Sequence, residues 1–246
     1  MIFRFVHAAD LHLGFPFETC FPRAEAEHHR SCHFAAFDQL TAGILRSGAD
    51  FVLFAGDVFD RNYHCPESRE RFLSALKRFQ TGNIRVWIAA GNHDPLSEWK
   101  DLADRLPDNV RLFASHAESE VILIQGVPAA EIAGISHRDR RETRNLALEA
   151  ASVLQSPELY RIGLVHANVG TQCYAGPVTL DELRISPVDY WALGHMHRRA
   201  VLLKKPLTLY CGSLYRLAKE ENDQYGINLI SVRDGVGSLE LLPLNS

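Results

Sequence analysis

No apolar run in this 246-residue chain approaches the ~20 residues that a membrane-spanning helix needs. Nor does a charged segment followed by an apolar stretch and a small-residue cleavage site open it. Both absences favour a cytoplasmic location. Cysteine is sparse: Cys20, Cys32, Cys65, Cys173 and Cys211 form no C-x-x-C pair, and their number is odd. Free thiols in a reducing compartment are expected, and a disulfide framework is not. Excess positive charge is also missing, since 26 Lys and Arg stand against 30 Asp and Glu for a net charge of −4. That balance lacks the electrostatic footprint of an independent duplex binder. No repeat, low-complexity tract or linker-like stretch is present.

What is present is a series of β-type apolar runs that each end in metal-ligand chemistry. Phe3 to Ala8 leads into Asp10-Leu11-His12, Phe51 to Ala55 into Gly56-Asp57, and Val86 to Ala90 into Gly91-Asn92-His93-Asp94. Arg161 to Val165 leads into His166, and Tyr190 to Leu193 into Gly194-His195-Met196-His197. Ligands at successive strand ends converge on one edge of a sheet, where open α/β folds place their chemistry. A single histidine at a strand end is more often a satisfied polar residue than a ligand. Joint occurrence at five strand ends reverses that weighting.

In order and spacing these boxes resemble the calcineurin-like metallophosphoesterases. Asp10-Leu11-His12-Leu13-Gly14, Gly56-Asp57-Val58-Phe59-Asp60, Gly91 to Asp94 and Asp189 to His197 are most similar to the SbcD nuclease branch, from about residue 3 to about residue 232. Phosphodiester hydrolysis needs positive charge on the non-bridging oxygens and a nucleophile stronger than water, and two divalent ions about 3.5 to 4 Å apart supply both. Asp57, at a tight strand-to-loop turn, is the candidate to join the two ions by presenting one oxygen to each. The resemblance implies that Asp10, His12 and His197 complete the first metal and that Asn92, His166 and His195 complete the second. Two dications against two aspartates leave about +2 to hold an anionic phosphate. Imidazole, carboxylate and amide donors without cysteine suit Mn, Fe or Zn, and the family favours manganese. The family also implies that His93 acts on the leaving oxygen, and Asp94 is placed to hold its ring in one tautomer.

Other residues carry less specific signals. His7, His64, His116 and His137 belong to no ligand pattern and read as structural or exposed. His29 and His33 share a helix face at a spacing that can bind metal. However, Phe34, Phe37, Leu40 and Ile44 define the buried stripe of that helix, so a solvated helix start is expected for the histidines. Arg138, Arg140, Arg141 and Arg144 likewise read as a solvated helix start, diluted by Asp139 and Glu142. Arg198 and Arg199, next to His197, are the candidate substrate contacts.

Helical periodicity appears over residues 24 to 47, 66 to 80, 96 to 106 and 141 to 154. Further strands are expected at Ala200 to Leu203, Leu207 to Cys211, Gly226 to Val232 and Gly235 to Pro243. Alternation followed by a strand-rich return predicts two packed sheets with helices outside, which the resemblance identifies as the α/β, four-layer αββα sandwich of the metallophosphoesterases. Because residues 10 to 197 must meet at one site, residues 1–246 are expected to form a single catalytic domain. Full-length SbcD members add a DNA-capping domain and a segment that docks the SbcC ATPase. Neither is expected here, so an SbcC-like partner is left open. The archaeal and eukaryotic branch tends to carry a histidine where this chain has Asp60, so no role of that histidine transfers. The resemblance implies a Mn-dependent DNA nuclease, exonucleolytic in type and weak on DNA alone. A phosphodiesterase or phosphatase acting on a nucleotide or other small phosphoester is the alternative. A catalytically dead scaffold is opposed by retention of all seven ligands and His93.

Overall fold

The computed structural model describes residues 1–61, 65–170, 174–221 and 224–244. Strand β1 (Ile2–Ala8) is followed by the long helix α1 (Arg23–Arg46), β2 (Phe51–Ala55), α2 (Pro66–Thr81), β3 (Arg85–Ala89), the one-turn α3 (Lys100–Ala103) and β4 (Val110–Leu112). A hairpin of β5 (Glu118–Ile124) and β6 (Val127–Ile135) leads to α4 (Leu146–Ser152) and β7 (Tyr160–His166). Then come the short pair β8 (Asn168–Val169) and β9 (Pro177–Val178), α5 (Leu180–Ile185) and β10 (Tyr190–Gly194). The last strands are β11 (Ala200–Lys204), β12 (Leu207–Tyr210), β13 (Gly226–Arg233) and β14 (Val236–Pro243).

Two six-stranded sheets result, in the orders β14-β13-β1-β2-β3-β4 and β11-β12-β10-β7-β6-β5. Strands β1 to β4 run parallel, β13 pairs antiparallel with β1, and β14 pairs antiparallel with β13. In the second sheet β6, β7, β10 and β12 run parallel, and β5 and β11 form antiparallel edges. Side chains alternate across each strand, and the alternation builds the layers. Val6, Val52, Phe54 and Ile88 join Phe37, Leu40, Phe72 and Leu76 of α1 and α2 in one core. Phe5, Phe51, Leu53 and Trp87 join Ile132, Ile162, Leu164 and Tyr190 in a second core between the sheets. Ile135, Val165, Trp191 and Leu193 join Leu146, Ala150 and Leu183 of α4 and α5 in a third. The four-layer sandwich expected from the sequence is therefore the observed architecture. Each central side chain is a large share of its stability, since truncating a buried Trp or Phe to Ala costs about 3 to 5 kcal/mol.

The structure corrects several local readings. The 96 to 106 periodicity becomes a 3₁₀ turn at Leu96–Trp99 and the single turn α3, because the Trp99 indole turns inward to donate to the Asp94 carbonyl at 2.8 Å. The expected helix at 141 to 154 shortens to α4, capped by the Asn145 side chain accepting from Leu148 N. Arg138 to Arg144 therefore lie in a loop after β6, not at a helix start. Strands β4, β5 and β6 carried no recognised signal. His29 and His33 are not solvated: His33 is buried with Nε2 at 2.7 Å from the Leu11 carbonyl, and the His29 ring packs on Phe21 while its Nδ1 meets the Tyr215 hydroxyl at 2.8 Å. Among the described residues neither joins a metal-ligand group; His33 instead braces the Asp10–His12 turn. Cys20, Cys32, Cys65 and Cys211 are free thiols, while Cys173 and His64 lie outside the described residues. No helix is long and apolar enough to cross a membrane among the described residues.

Candidate metal centre

The parallel strands deliver their C-terminal ends to one place. The loop after β1 is zipped to the loop after β2: Asp10 N donates to Gly56 O at 3.0 Å and His12 N to Asp57 O at 2.9 Å. The strand ends of the second sheet meet them across the interface. His195 N donates to the Asp10 carboxylate at 3.0 Å, and His166 Nδ1 donates to the Ala55 carbonyl at 2.9 Å. The approach is so close that a methyl group at Gly194 would overlap the Ala55 carbonyl oxygen, and one at Gly91 would overlap the Asp57 carboxylate. Asp10, His12, Asp57 and His195 all adopt positive φ, a conformation that costs energy outside glycine and concentrates at functional sites.

Two donor groups form. In the first, ligand atoms of Asp10, His12 and His197 lie within 4.8 Å of one another. His12 commits Nδ1 to Asp60 Oδ2 at 3.3 Å and His197 commits Nδ1 to Glu221 Oε1 at 3.0 Å, leaving their Nε2 atoms facing each other at 3.1 Å. In the second, His166 Nε2 and His195 Nδ1 lie 2.9 and 3.1 Å from Asn92 Oδ1. With Nδ1 of His166 given to Ala55, its Nε2 is an acceptor that faces an acceptor. Facing lone pairs repel unless a cation or proton sits between them. Donors about 2.1 Å from one divalent ion and at right angles are about 3 Å apart, so the spacing fits a coordination sphere. His12, His166 and His197 are also each oriented through the other ring nitrogen by a carboxylate or carbonyl, as metal-binding histidines generally are.

Asp57 stands between the groups. Its Oδ2 is 3.8 Å from His12 Nε2 and 3.3 Å from His166 Nε2, whereas Oδ1 accepts the backbone N–H of His93 at 2.7 Å. The expectation that each oxygen would serve a different ion is thereby corrected: one oxygen faces both groups.

The role expected for Asp94 is corrected too. Its buried carboxylate accepts from the backbone N–H groups of Asp57, Val58, Phe59 and Gly91, cinching the Asp57 loop to the Gly91 loop. The His93 ring is held instead by Asp60, whose Oδ2 lies 3.2 Å from His93 Nδ1. His93 itself remains 22% exposed at the rim. Asp60 and Glu221 are carboxylates at the centre that the sequence reading missed. Asp60 had a signal, three residues after Asp57 in the same box; Glu221 had none. Both lower the positive charge that a count of two aspartates suggests.

Burial sets the protonation states. It pushes the Asp10 carboxyl up to about 8 and that of Asp57 up to about 6, and raises Asp94 as well. It lowers His12 to about 3 and His195 to about 4, and lowers His166 strongly, so these rings are neutral and ready to donate lone pairs. For His197 burial opposes charge, but the Glu221 hydrogen bond and Asp10 outweigh it and raise the ring. Buried carboxylates that resist ionisation are what a cation site shows when protons substitute for the cation.

Arg198 is exposed beside His197, whereas Arg199 turns inward and donates from Nε to Asn228 Oδ1 at 2.7 Å. Arg199 is thus partly held by the fold, its Nε committed to Asn228. His7 is buried with Nδ1 at 2.9 Å from the Tyr190 hydroxyl, His116 is exposed, and His137 is buried under His166.

Residues 3–199 match the calcineurin-like phosphoesterase family. The chain is 32% identical over 245 residues to the uncharacterized metallophosphoesterase YhaO of Bacillus subtilis strain 168, covering 96% of this chain and 59% of that protein. It is 25% identical over 256 residues to the SbcD component of the nuclease SbcCD of Escherichia coli K12, covering 89% of this chain and 62% of that component. The crystal structure of TT1561 of Thermus thermophilus superposes with a TM-score of 0.58 at 10% identity over 98% of this chain and 99% of that one, a likeness of fold alone. The chain spans about three-fifths of the length of these two curated relatives.

Proposed function

Because the chain belongs to the calcineurin-like phosphoesterase family, we propose that it hydrolyses phosphodiester bonds of DNA, as one catalytic domain holding two divalent ions, manganese in the first instance and iron or zinc as substitutes. The observation that carries this reading is the pair of donor groups meeting at Asp57 Oδ2. Asp10, His12 and His197 would hold one ion, Asn92, His166 and His195 the other, and Asp57 both. When bound, the ions supply positive charge to the phosphate oxygens and lower the pKa of a water so that a nucleophile exists at neutral pH. His93, with Nδ1 on Asp60 and its ring partly exposed, donates a proton to the leaving oxygen from Nε2. The carboxylate of Asp60 stabilises the imidazolium that such a donor must be. Asp94 acts on neither proton nor phosphate; it fixes the loop on which Asp57 and Asn92 sit.

DNA is favoured over a small ester by the similarity to the E. coli nuclease component. An ATPase partner of the SbcC type belongs to the same reading. The test compares hydrolysis of single-stranded DNA with that of a nucleotide panel under Mn. Metal-dependent DNA cleavage is expected. Rapid nucleotide hydrolysis with intact DNA would assign the site to small phosphoesters instead, which the net charge of −4 would suit.

A further inference from the structure

The loop after β6 is positioned by the metal centre itself. His137 N donates to Ala90 O at 3.0 Å, Leu96 N donates to His137 O at 3.1 Å, and His137 Nε2 donates to the His166 carbonyl at 2.7 Å. The residue before Arg138 is therefore wedged between the Gly91–Asp94 loop and the end of β7. The far end is anchored as firmly. Glu142 N donates to Tyr174 O at 2.6 Å, Gly176 N donates to Glu142 O at 2.9 Å, and Asn168 N, two residues past His166, donates to Ala175 O at 2.9 Å.

Between the anchors stands a four-residue arch, Arg138 to Arg141, exposed along its whole length. Its arginines are weakly engaged. Among the described residues, Arg138 pairs with its neighbour Asp139 at 3.4 Å, with both side chains more than 70% exposed, and Arg140 meets Glu98 at 3.4 Å. Exposed pairs of this kind contribute little. Glu98 in turn lines the small cavity shared with Asp60 and His93, so Arg140 is linked to the rim of the centre through Glu98. The Arg141 guanidinium lies 3.8 Å from the ring centroid of Tyr174, a tyrosine 58% exposed. Arg144, by contrast, is consumed by Glu142, Glu149 and the Ser115 carbonyl.

We propose that Arg138, Arg140 and Arg141 form a rail that grips the phosphates of a DNA strand on the Asn92–His166 side of the centre, with the Arg141–Tyr174 stack as a platform for a base. Guanidinium forks match phosphate oxygens, and exposed aromatic faces stack bases without regard to sequence. A small phosphoester does not extend from the metals to the arch, so the rail selects for polymer. This rests on the nuclease reading of the same centre.

The test is binding of a labelled, hydrolysis-resistant phosphorothioate oligonucleotide to the Mn-loaded protein as salt is raised. Three phosphate contacts at a slope of about 0.7 each mean that the wild type loses about 20-fold more affinity than R138A/R140A/R141A between about 50 and 200 mM salt. The corresponding triple lysine variant keeps charge and should keep most of the slope, while thermal melting verifies that both variants fold. On cleavable substrates, the ratio of kcat/KM for oligonucleotide over an aryl phosphodiester should fall at least about tenfold in the alanine variant. If the alanine variant binds with wild-type affinity and slope while the wild type cuts DNA, the rail is wrong and the nuclease reading stands. If the wild type binds through the arginines but cuts only small phosphoesters, the nuclease reading fails and the rail stands. A wild type that does not bind the strand overturns the rail.

Discussion

Replacement of Asp60 by Asn is the sharpest probe of the centre, because one carboxylate oxygen serves two rings with separate jobs. Asp60 Oδ2 lies 3.3 Å from His12 Nδ1 and 3.2 Å from His93 Nδ1, on a side chain that is fully buried. Asparagine has the same shape and can still offer an oxygen to both N–H groups, but without charge. Charge-assisted hydrogen bonds are worth about 1 kcal/mol more than neutral ones, so the two together should cost about 2 kcal/mol, or roughly 30-fold in all. The His12 share, about fivefold, should appear as weaker Mn affinity in a titration of the metal-free protein. The His93 share, again about fivefold, should appear in turnover at saturating Mn, growing as the leaving group becomes a poorer one. Asp60→Ala strands two N–H groups without an acceptor, at about 1 to 3 kcal/mol each, and should cost about 10² to 10³ in activity. An Asp60→Asn protein with wild-type Mn affinity and wild-type turnover on poor leaving groups would show that Asp60 holds neither ring.

Asp57→Asn should lower the metal content from two ions per chain more than any other single substitution, because its Oδ2 faces both donor groups; wild-type saturation at a single ion would remove the shared role. His93→Ala should keep its metal content while turnover falls by roughly 10² to 10⁴. Equal losses on activated and unactivated esters would leave His93 an electrostatic role only. Burial depresses His7 to about 3 and His33 to about 4 from an ordinary 6.5. A histidine whose pKa falls on folding contributes stability that is present above 6.5 and is lost as pH drops towards the folded value. Denaturant midpoints should therefore decline below about pH 6.5, by up to about 1.4 kcal/mol per pH unit for each histidine. His33→Gln should flatten that decline, and an unchanged slope in the variant would contradict it.

The layers and the donors were legible in the sequence for the same reason. Apolar runs such as Phe51 to Ala55 both build a two-sided buried strand and end where a ligand follows, so a local pattern marks the fold and the centre together. Direction was not legible. Arg198 and Arg199 are neighbours, yet one faces solvent and the other reaches Asn228, 29 residues on, a choice made by β13 and invisible to spacing. His33 has the composition of a solvated helix start, but Phe17 and the Leu11 carbonyl cover it. Glu221 reaches His197 from a loop whose only role in the sequence is to connect strands. The Asp94 carboxylate was misread because adjacency to His93 suggested a partner, whereas the turn aims it at four backbone amides.

The meeting of the two sheets at the donors has a mechanical consequence. Each group draws on both: Asp10 and His12 from one sheet with His197 from the other, Asn92 from one with His166 and His195 from the other. An ion held by either group would work as a rivet between two plates. Shear of one sheet against the other by an ångström or two would pull both rivets at once, so the ions should enter and leave in concert with the rigidity of the whole sandwich. A chelator would then loosen the body of the protein as well as silence it. Any partner that pries the sheet edges apart would have a single lever over catalysis and fold alike.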